Sequence, residues 1–172
     1  MTDATPSGYT TVAPWVVTGD TGRLLNFVTA AFGGDELGRV PLQDGRIGHA
    51  EIRVGDTVVL AFDRRDGWPE MPSLLRIWVE DADATMERAV AAGATVVTEP
   101  ATRAFGQRGG RVRDPFGNIW WIVAQVEQVE PGVAMARLSE PGYAAAMRDA
   151  QETLDRELSG IDRAASPPAA PA

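Results

Sequence analysis

The sequence predicts an α+β fold of two βαβββ repeats followed by a C-terminal amphipathic helix. Three observations carry that reading. Two segments share one grammar of strands and helix, offset by about sixty residues. The turn Asp114-Pro115-Phe116-Gly117-Asn118 runs directly into the apolar strand Ile119-Trp120-Trp121-Ile122. The apolar positions Tyr143, Met147, Ala150, Leu154 and Leu158 recur at helical spacing near the C-terminus.

In the first repeat, Thr11 to Val17 reads as a strand, and Thr21 to Phe32 as a helix. Leu24, Val28, Ala31 and Phe32 fall on one helical face, and Gly33-Gly34 stops the helix. Strands follow over Glu36 to Pro41, Ile47 to Val54 and Thr57 to Phe62, with Gly55-Asp56 turning between the last two. In the second repeat, Leu74 to Val79 is a strand. Ala82 to Ala92 is a helix with Ala82, Met86, Ala89 and Val90 on one face, ended by Gly93. Strands then run over Thr95 to Thr98, Gly110 to Arg113 and Asn118 to Gln125. Val17 thus corresponds to Val79, and Gly33 to Gly93. In the last turn, Pro115 fixes φ, and Gly117-Asn118 tolerates the left-handed geometry of a reversal.

The organisation that follows is a first module over residues 9–63, a Pro-bearing connector over 64–73 and a second module over 74–126. A helical extension covers 127–163, with Ser139 as the expected N-cap ahead of Glu140 and Pro141. Residues 164–172, rich in Pro and Ala, read as a disordered tail.

Composition narrows the chemistry. With 172 residues and 44% apolar content, the chain suits one ordinary globular domain or two tightly joined halves. No apolar run is long enough to span a bilayer, and the N-terminus lacks basic and hydrophobic signal regions, so the expected location is cytoplasmic and no membrane is expected as partner. There is no Cys, hence neither a disulfide framework nor a thiol nucleophile. Every basic residue is Arg, which excludes a lysine Schiff base and a P-loop. A net charge of −8 argues against nucleic acid as partner. His49 is the single histidine, so no Ser-His-Asp arrangement or two-His metal site extends beyond it.

The repeat, the Asp114 to Asn118 turn and the strand-and-turn Ile47-Gly48-His49-Ala50-Glu51-Ile52-Arg53-Val54-Gly55-Asp56 together resemble the vicinal oxygen chelate superfamily. This is the superfamily of glyoxalases, bleomycin-resistance proteins and extradiol dioxygenases, and the likeness spans roughly Tyr9 to Val126. The resemblance implies a curved mixed sheet around a U-shaped cavity, and a homodimer. In metal-dependent members four ligands, commonly His or Glu, converge in that cavity. Carried over one at a time, those positions fall on Ala13, Leu60, Leu74 and Trp121. None offers a donor to a divalent cation, so a metal-free protein with no cofactor is expected.

Strand alternation then proposes a cavity lining. Trp15, Leu60, Phe62, Arg76, Trp78 and Trp121 share the inward face with His49 and Glu51, and Phe105 opens the glycine-rich loop Phe105 to Gly110 that closes over them. Trp15, Trp78 and Trp121 stack a ligand in this reading, while Glu51 and Arg76 orient its polar groups, with Glu51 also the expected partner of Arg76. Trp120 belongs to the core, Trp68 to a lid or dimer contact, and Asp114 to its own turn. The preferred function is a homodimeric binder of a small aromatic or cationic compound, with bleomycin-type sequestration as the analogue. The alternative is an enzyme of the same fold: a metal-independent isomerase or lyase using His49 and Glu51 as acid and base, or a metal-dependent lyase or dioxygenase with its ligands in another register. A third reading is a regulatory module acting through the Tyr143 to Leu158 helix.

Overall fold

The computed structural model describes residues 5–6 and 8–160. The tail at 164–172 lies outside them. The elements run β1 (Trp15–Thr18), α1 (Thr21–Phe32), β2 (Asp35–Pro41), β3 (Ile47–Val54), β4 (Thr57–Asp63), β5 (Leu74–Trp78), α2 (Ala82–Ala91), β6 (Thr95–Thr102), β7 (Gln107–Arg113), β8 (Ile119–Gln125), α3 (Pro131–Arg137) and α4 (Pro141–Ser159). The strands form two four-stranded mixed sheets with the same internal order, β1-β4-β3-β2 and β5-β8-β7-β6. In each, the first strand lies parallel to the last, and the other pairings are antiparallel. The α+β class and the doubled βαβββ plan are those read from the sequence.

Each repeat builds its helix in the same way. Asp20 caps α1 by accepting from the Arg23 N–H, and Asp81 caps α2 by accepting from the Ala84 N–H. Gly33 takes the left-handed conformation, φ 70°, that closes α1. The apolar faces meet in one core. Leu24, Leu25, Phe27 and Val28 of α1 and Met86 and Ala89 of α2 are buried with Ile52, Val112 and Ile122 of the sheets. Full burial of each large side chain among these contributes roughly 1.5–3 kcal/mol. Helix α1 packs against α2, and the Phe32 ring sits 4.7 Å from Trp120, which is buried as expected.

Asp114 holds the last hairpin. Its carboxylate accepts from the Phe116 and Asn118 backbone N–H groups, from Asn118 Nδ2 and from the indole Nε1 of Trp120, each at 2.9 Å. Asn118 Oδ1 in turn accepts from the Ser73 N–H at 2.9 Å, tying the connector to the turn.

Several elements differ from the sequence expectation. The first strand begins at Trp15 rather than Thr11, because Pro14 has no N–H for the ladder, although its carbonyl still accepts from Leu60. Strand β6 continues past Thr98 to Thr102, with register shifts around Glu99-Pro100. Val90 lies outside the buried face of α2, and Thr85 is buried in its place. Ser139 does not cap α4: its N–H closes the end of α3, and Glu140 precedes Pro141 with no side-chain cap. Helix α3, seven residues long, is too short to show a helical period.

The supposed glycine-rich loop is the largest correction. Gln107 to Gly110 are the first residues of β7, and the loop shrinks to the residues just before them. Its glycines serve packing. A Cβ at Gly110 would lie 2.4 Å from the Thr98 carbonyl oxygen and 2.7 Å from Met86 Sδ. The C-terminal helix docks on its own chain: α4 lies along β6, with Ala150 as its buried residue and Glu157 within 3.4 Å of Arg113.

Candidate functional site

In both sheets, one strand face packs on the helices and the other carries the site candidates. Register sets a lateral row across each. In the first sheet Trp15 lies beside Leu60 and Leu60 beside Glu51. In the second, Arg76 lies beside Trp121, Trp121 beside Arg111, and Arg111 beside Thr98.

The first sheet gathers an aromatic and acid–base group. Trp15 makes edge contacts with His49 at 5.5 Å and Phe62 at 5.3 Å between ring centroids, and Phe62 meets Trp68 at 6.1 Å. His49 Nε2 is 2.9 Å from Glu51 Oε1, and the Tyr9 hydroxyl donates to Glu51 Oε2. These hydrogen bonds, Tyr9 first and His49 second, hold the Glu51 carboxyl below the usual glutamate range. The same bond pushes the Tyr9 phenol up.

A carboxyl depressed in the folded state adds stability above its unfolded pKa and loses it as pH falls through the folded value. Glu51 therefore favours folding at neutral pH and loses that contribution below about pH 4.3. Because the group is near solvent, the effect is no more than about 0.5 kcal/mol. Acid titration of Glu51→Gln, followed by circular dichroism, should show a correspondingly shallower loss of stability below that pH. An unchanged acid limb would mean that Glu51 carries no pH-linked stability.

The second sheet gathers cations around one indole. The guanidinium of Arg76 lies 4.3 Å from the Trp78 ring and 4.6 Å from Trp121, and that of Arg111 lies 4.5 Å from Trp121 on its other flank. Arg76 does not pair with Glu51 as expected. Its Nη2 donates to Gln107 Oε1 at 2.8 Å, because Glu51 belongs to the other sheet and is engaged by Tyr9 and His49. Phe105 is exposed at the edge of this face, and its carbonyl accepts from Gln125 Nε2.

The nine candidates thus divide into two groups. Trp15, His49, Glu51, Leu60 and Phe62 belong to the first sheet, and Arg76, Trp78 and Trp121 to the second, with Phe105 beside it. Among the described residues no ring contact, hydrogen bond or ion pair joins the two groups. Both present large apolar surface to solvent: Trp15 is 47% and Trp78 55% exposed. A cavity of about 910 Å³ lies elsewhere, in the cleft between the modules beside Phe32, Val59, Leu75 and Trp120, and only Arg76 and Trp78 of the nine border it. Two of its charged groups have structural duties. Asp81 caps α2, and Arg88 donates to the Ala31 carbonyl and to Thr85.

The positions implied as metal ligands do not suit a divalent cation. Leu60 and Trp121 align with Trp15 and Arg76 rather than with Ala13 and Leu74. Either set supplies hydrocarbon, indole or guanidinium where deprotonated nitrogen, oxygen or sulfur is required. Among the described residues no three His, Cys, Asp or Glu side chains stand close enough to share a metal ion.

Three residues were not foreseen. Tyr9 reaches Glu51 from an irregular segment, for which the sequence carries no signal. Arg111 was within reach of alternation, since it lies in the strand expected over Gly110 to Arg113 and follows Gln107 and Gly109 on one face of β7, but that strand was left out of the cavity lining. Arg103 lies in the turn before β7 and folds inward, with Nη1 donating to the Gly109 carbonyl at 2.6 Å.

Comparison with known proteins agrees with this geometry. The family model of the Glyoxalase/Bleomycin resistance protein/Dioxygenase superfamily matches residues 8–122. The uncharacterized protein Rv0887c of Mycobacterium tuberculosis is 36% identical over 146 residues, covering 76% of this chain and 84% of its own. TioX from a Micromonospora species is 26% identical and superposes with a TM-score of 0.55, covering 70% of this chain and all of TioX. The fosfomycin resistance protein FosX of Mesorhizobium loti shares the fold, with a TM-score of 0.53 at 14% identity over 74% of this chain and 98% of FosX. Doubled βαβββ modules and a family match across both of them lead to one conclusion: this chain belongs to the Glyoxalase/Bleomycin resistance protein/Dioxygenase superfamily.

Proposed function

We propose that the protein is a homodimeric, metal-independent binder of a small aromatic compound, held by stacking on the outer strand faces and released unchanged. The exposed aromatics on those faces carry the reading. Trp15, Trp68, Leu74 and Trp78 are between 41% and 56% exposed, on β1, on the connector and on β5. Large apolar side chains exposed on each face favour a ligand or protein contact there. Two half-sites per chain, each open, are covered together when a second copy brings one face onto another. A cationic substituent would be answered by Glu51, in the manner of antibiotic sequestration.

Thermal denaturation with a panel of planar aromatics tests the binding. A ligand at a hundred times its Kd stabilises the native state by about 2.7 kcal/mol, and a chelator should leave that gain unchanged. Stabilisation by a divalent cation that the chelator abolishes would overturn the reading. For the dimer, Trp78→Glu places a carboxylate in the proposed interface. Sedimentation should show association weakened by about tenfold or more. Unchanged association would remove this face from the interface.

The hydrogen-bonded series His49, Glu51 and Tyr9 favours a second reading, proton transfer on a bound substrate. Under it His49→Ala abolishes turnover and retains binding. Under the first reading the wild-type protein consumes none of the compounds that stabilise it.

A further inference from the structure

The outer face of the second sheet holds positive charge that the protein itself offsets only in part. Arg103 and Arg111 are 4% and 5% exposed, and neither makes an ion pair among the described residues. Their partners are neutral oxygens. Arg103 Nη1 donates to the carbonyls of Ala101 and Gly109, and Arg111 Nη1 to Thr98 Oγ1 and to the Ala150 carbonyl of α4. Arg103 Nη2, Arg111 Nε and the Trp121 indole Nε1 are buried without any acceptor. Burying a guanidinium away from water costs several kcal/mol unless an anion or a full set of acceptors offsets it. Here three buried N–H donors, two of guanidinium groups and one of the Trp121 indole, are left over in a chain whose net charge is −8.

We propose that Arg76, Arg103, Arg111 and the Trp121 indole N–H form an oxyanion site, which takes the carboxylate or phosphate group of the aromatic ligand while its ring stacks on Trp78 and Trp121. The inference rests on the binding reading above and specifies the ligand's charge: a negative group goes to the second sheet. Arg76 is the exposed entry to the site, and Arg103 and Arg111 supply the field behind it. All three guanidinium groups are held below the usual arginine range by burial, Arg111 also by Arg103 and Arg103 also by Arg76. An oxyanion reverses each of these effects. Asp149 of α4 is the carboxylate whose charge reaches Arg103, and it makes no hydrogen bond to it. Helix α4 is the cover. It is fixed to this face by the Arg111 bond to Ala150 and by the Thr98 to Thr153 hydroxyl contact at 2.7 Å, and Ala150 is its only buried residue. A small displacement of α4 exposes the unused donors, and a bound oxyanion replaces the Ala150 carbonyl as acceptor.

Calorimetric titration of the full-length chain at fixed ionic strength separates the possibilities, using naphthoate, neutral naphthamide and inorganic phosphate as probes. Naphthoate should bind about tenfold or more tightly than naphthamide, as expected for a charge-assisted contact. Arg76→Gln and Arg111→Met should each erase that preference, read as the ratio of naphthoate to naphthamide affinity within the same variant. Asp149→Asn should tighten naphthoate by about twofold to threefold and leave naphthamide unchanged. Should Arg111→Met fail to fold, Arg76→Gln and Asp149→Asn, both at exposed positions, decide alone. Equal affinity for the two naphthalenes, or a preference that survives Arg76→Gln, overturns the oxyanion site and leaves aromatic binding standing. Phosphate binding that depends on Arg76, with neither naphthalene bound, supports the site and overturns the aromatic reading. No binding of any probe overturns both.

Discussion

Asp114→Ala should destabilise the protein by about 3 kcal/mol or more, lowering Tm by roughly 10 °C. The carboxylate is 3% exposed and accepts four hydrogen bonds, two from backbone N–H groups and two from buried side chains. Alanine leaves the Trp120 indole N–H and the Asn118 amide without an acceptor in the core. An abandoned buried donor costs about 1–3 kcal/mol, more than the net gain of the bond it once made. The damage also spreads, because Asn118 holds the connector through Ser73, and the connector carries Trp68. Asp114→Asn retains one carbonyl oxygen but turns an amide N–H2 toward donors, so it should lose less than alanine and more than a surface control. Equilibrium urea unfolding of the two variants provides the comparison. A loss under about 1 kcal/mol for Asp114→Ala would show that water or the relaxed turn replaces the carboxylate.

That turn was the clearest part of the sequence, and the reason is physical. A buried carboxylate that satisfies its own hairpin is a local device, so residues 114–120 carry all of its parts. Helix α1 was equally legible, since Leu24, Val28 and Ala31 repeat at its own period and Gly33 ends it. Alternation along strands is local too, which is why Trp15, Trp78, Trp121, His49 and Glu51 could be placed on strand faces from spacing alone. Most of what escaped depends on distant partners. Arg103 turns inward because a carbonyl of β7 lies within reach, and Arg111 is covered because α4 returns over β6 some forty residues later. Tyr9 meets Glu51 across a sequence separation of 42. No short window of sequence contains Arg111 with Ala150 or Tyr9 with Glu51, whereas Arg103 and Gly109 stand six residues apart and are hidden only because β7 starts at Gln107, within the stretch read as a loop. The sequence therefore shows an aromatic face and gives little hint of its charge.

Gly109→Ala should be strongly disruptive, costing more than about 3 kcal/mol and reducing soluble yield. A Cβ at Gly109 would stand 2.0 Å from the Ile122 carbonyl oxygen and 2.9 Å from Val123 Cα, atoms of the neighbouring strand backbone that no rotamer change can move aside. Strand β7 must pull away from β8 to admit it, breaking ladder hydrogen bonds on a fully packed strand. Gly38→Ala is the matched control. Nothing lies within 4 Å of its added methyl, and its φ is not left-handed, so it should be neutral or stabilising by up to about 1 kcal/mol. Function links to this position because the Gly109 carbonyl is the acceptor that orients Arg103. If enough Gly109→Ala protein folds for titration, the preference for naphthoate over naphthamide should shrink even though no charged residue has been touched. Stability equal to wild type with the preference intact would mean that β7 has room to yield, and that the position of Arg103 does not depend on it.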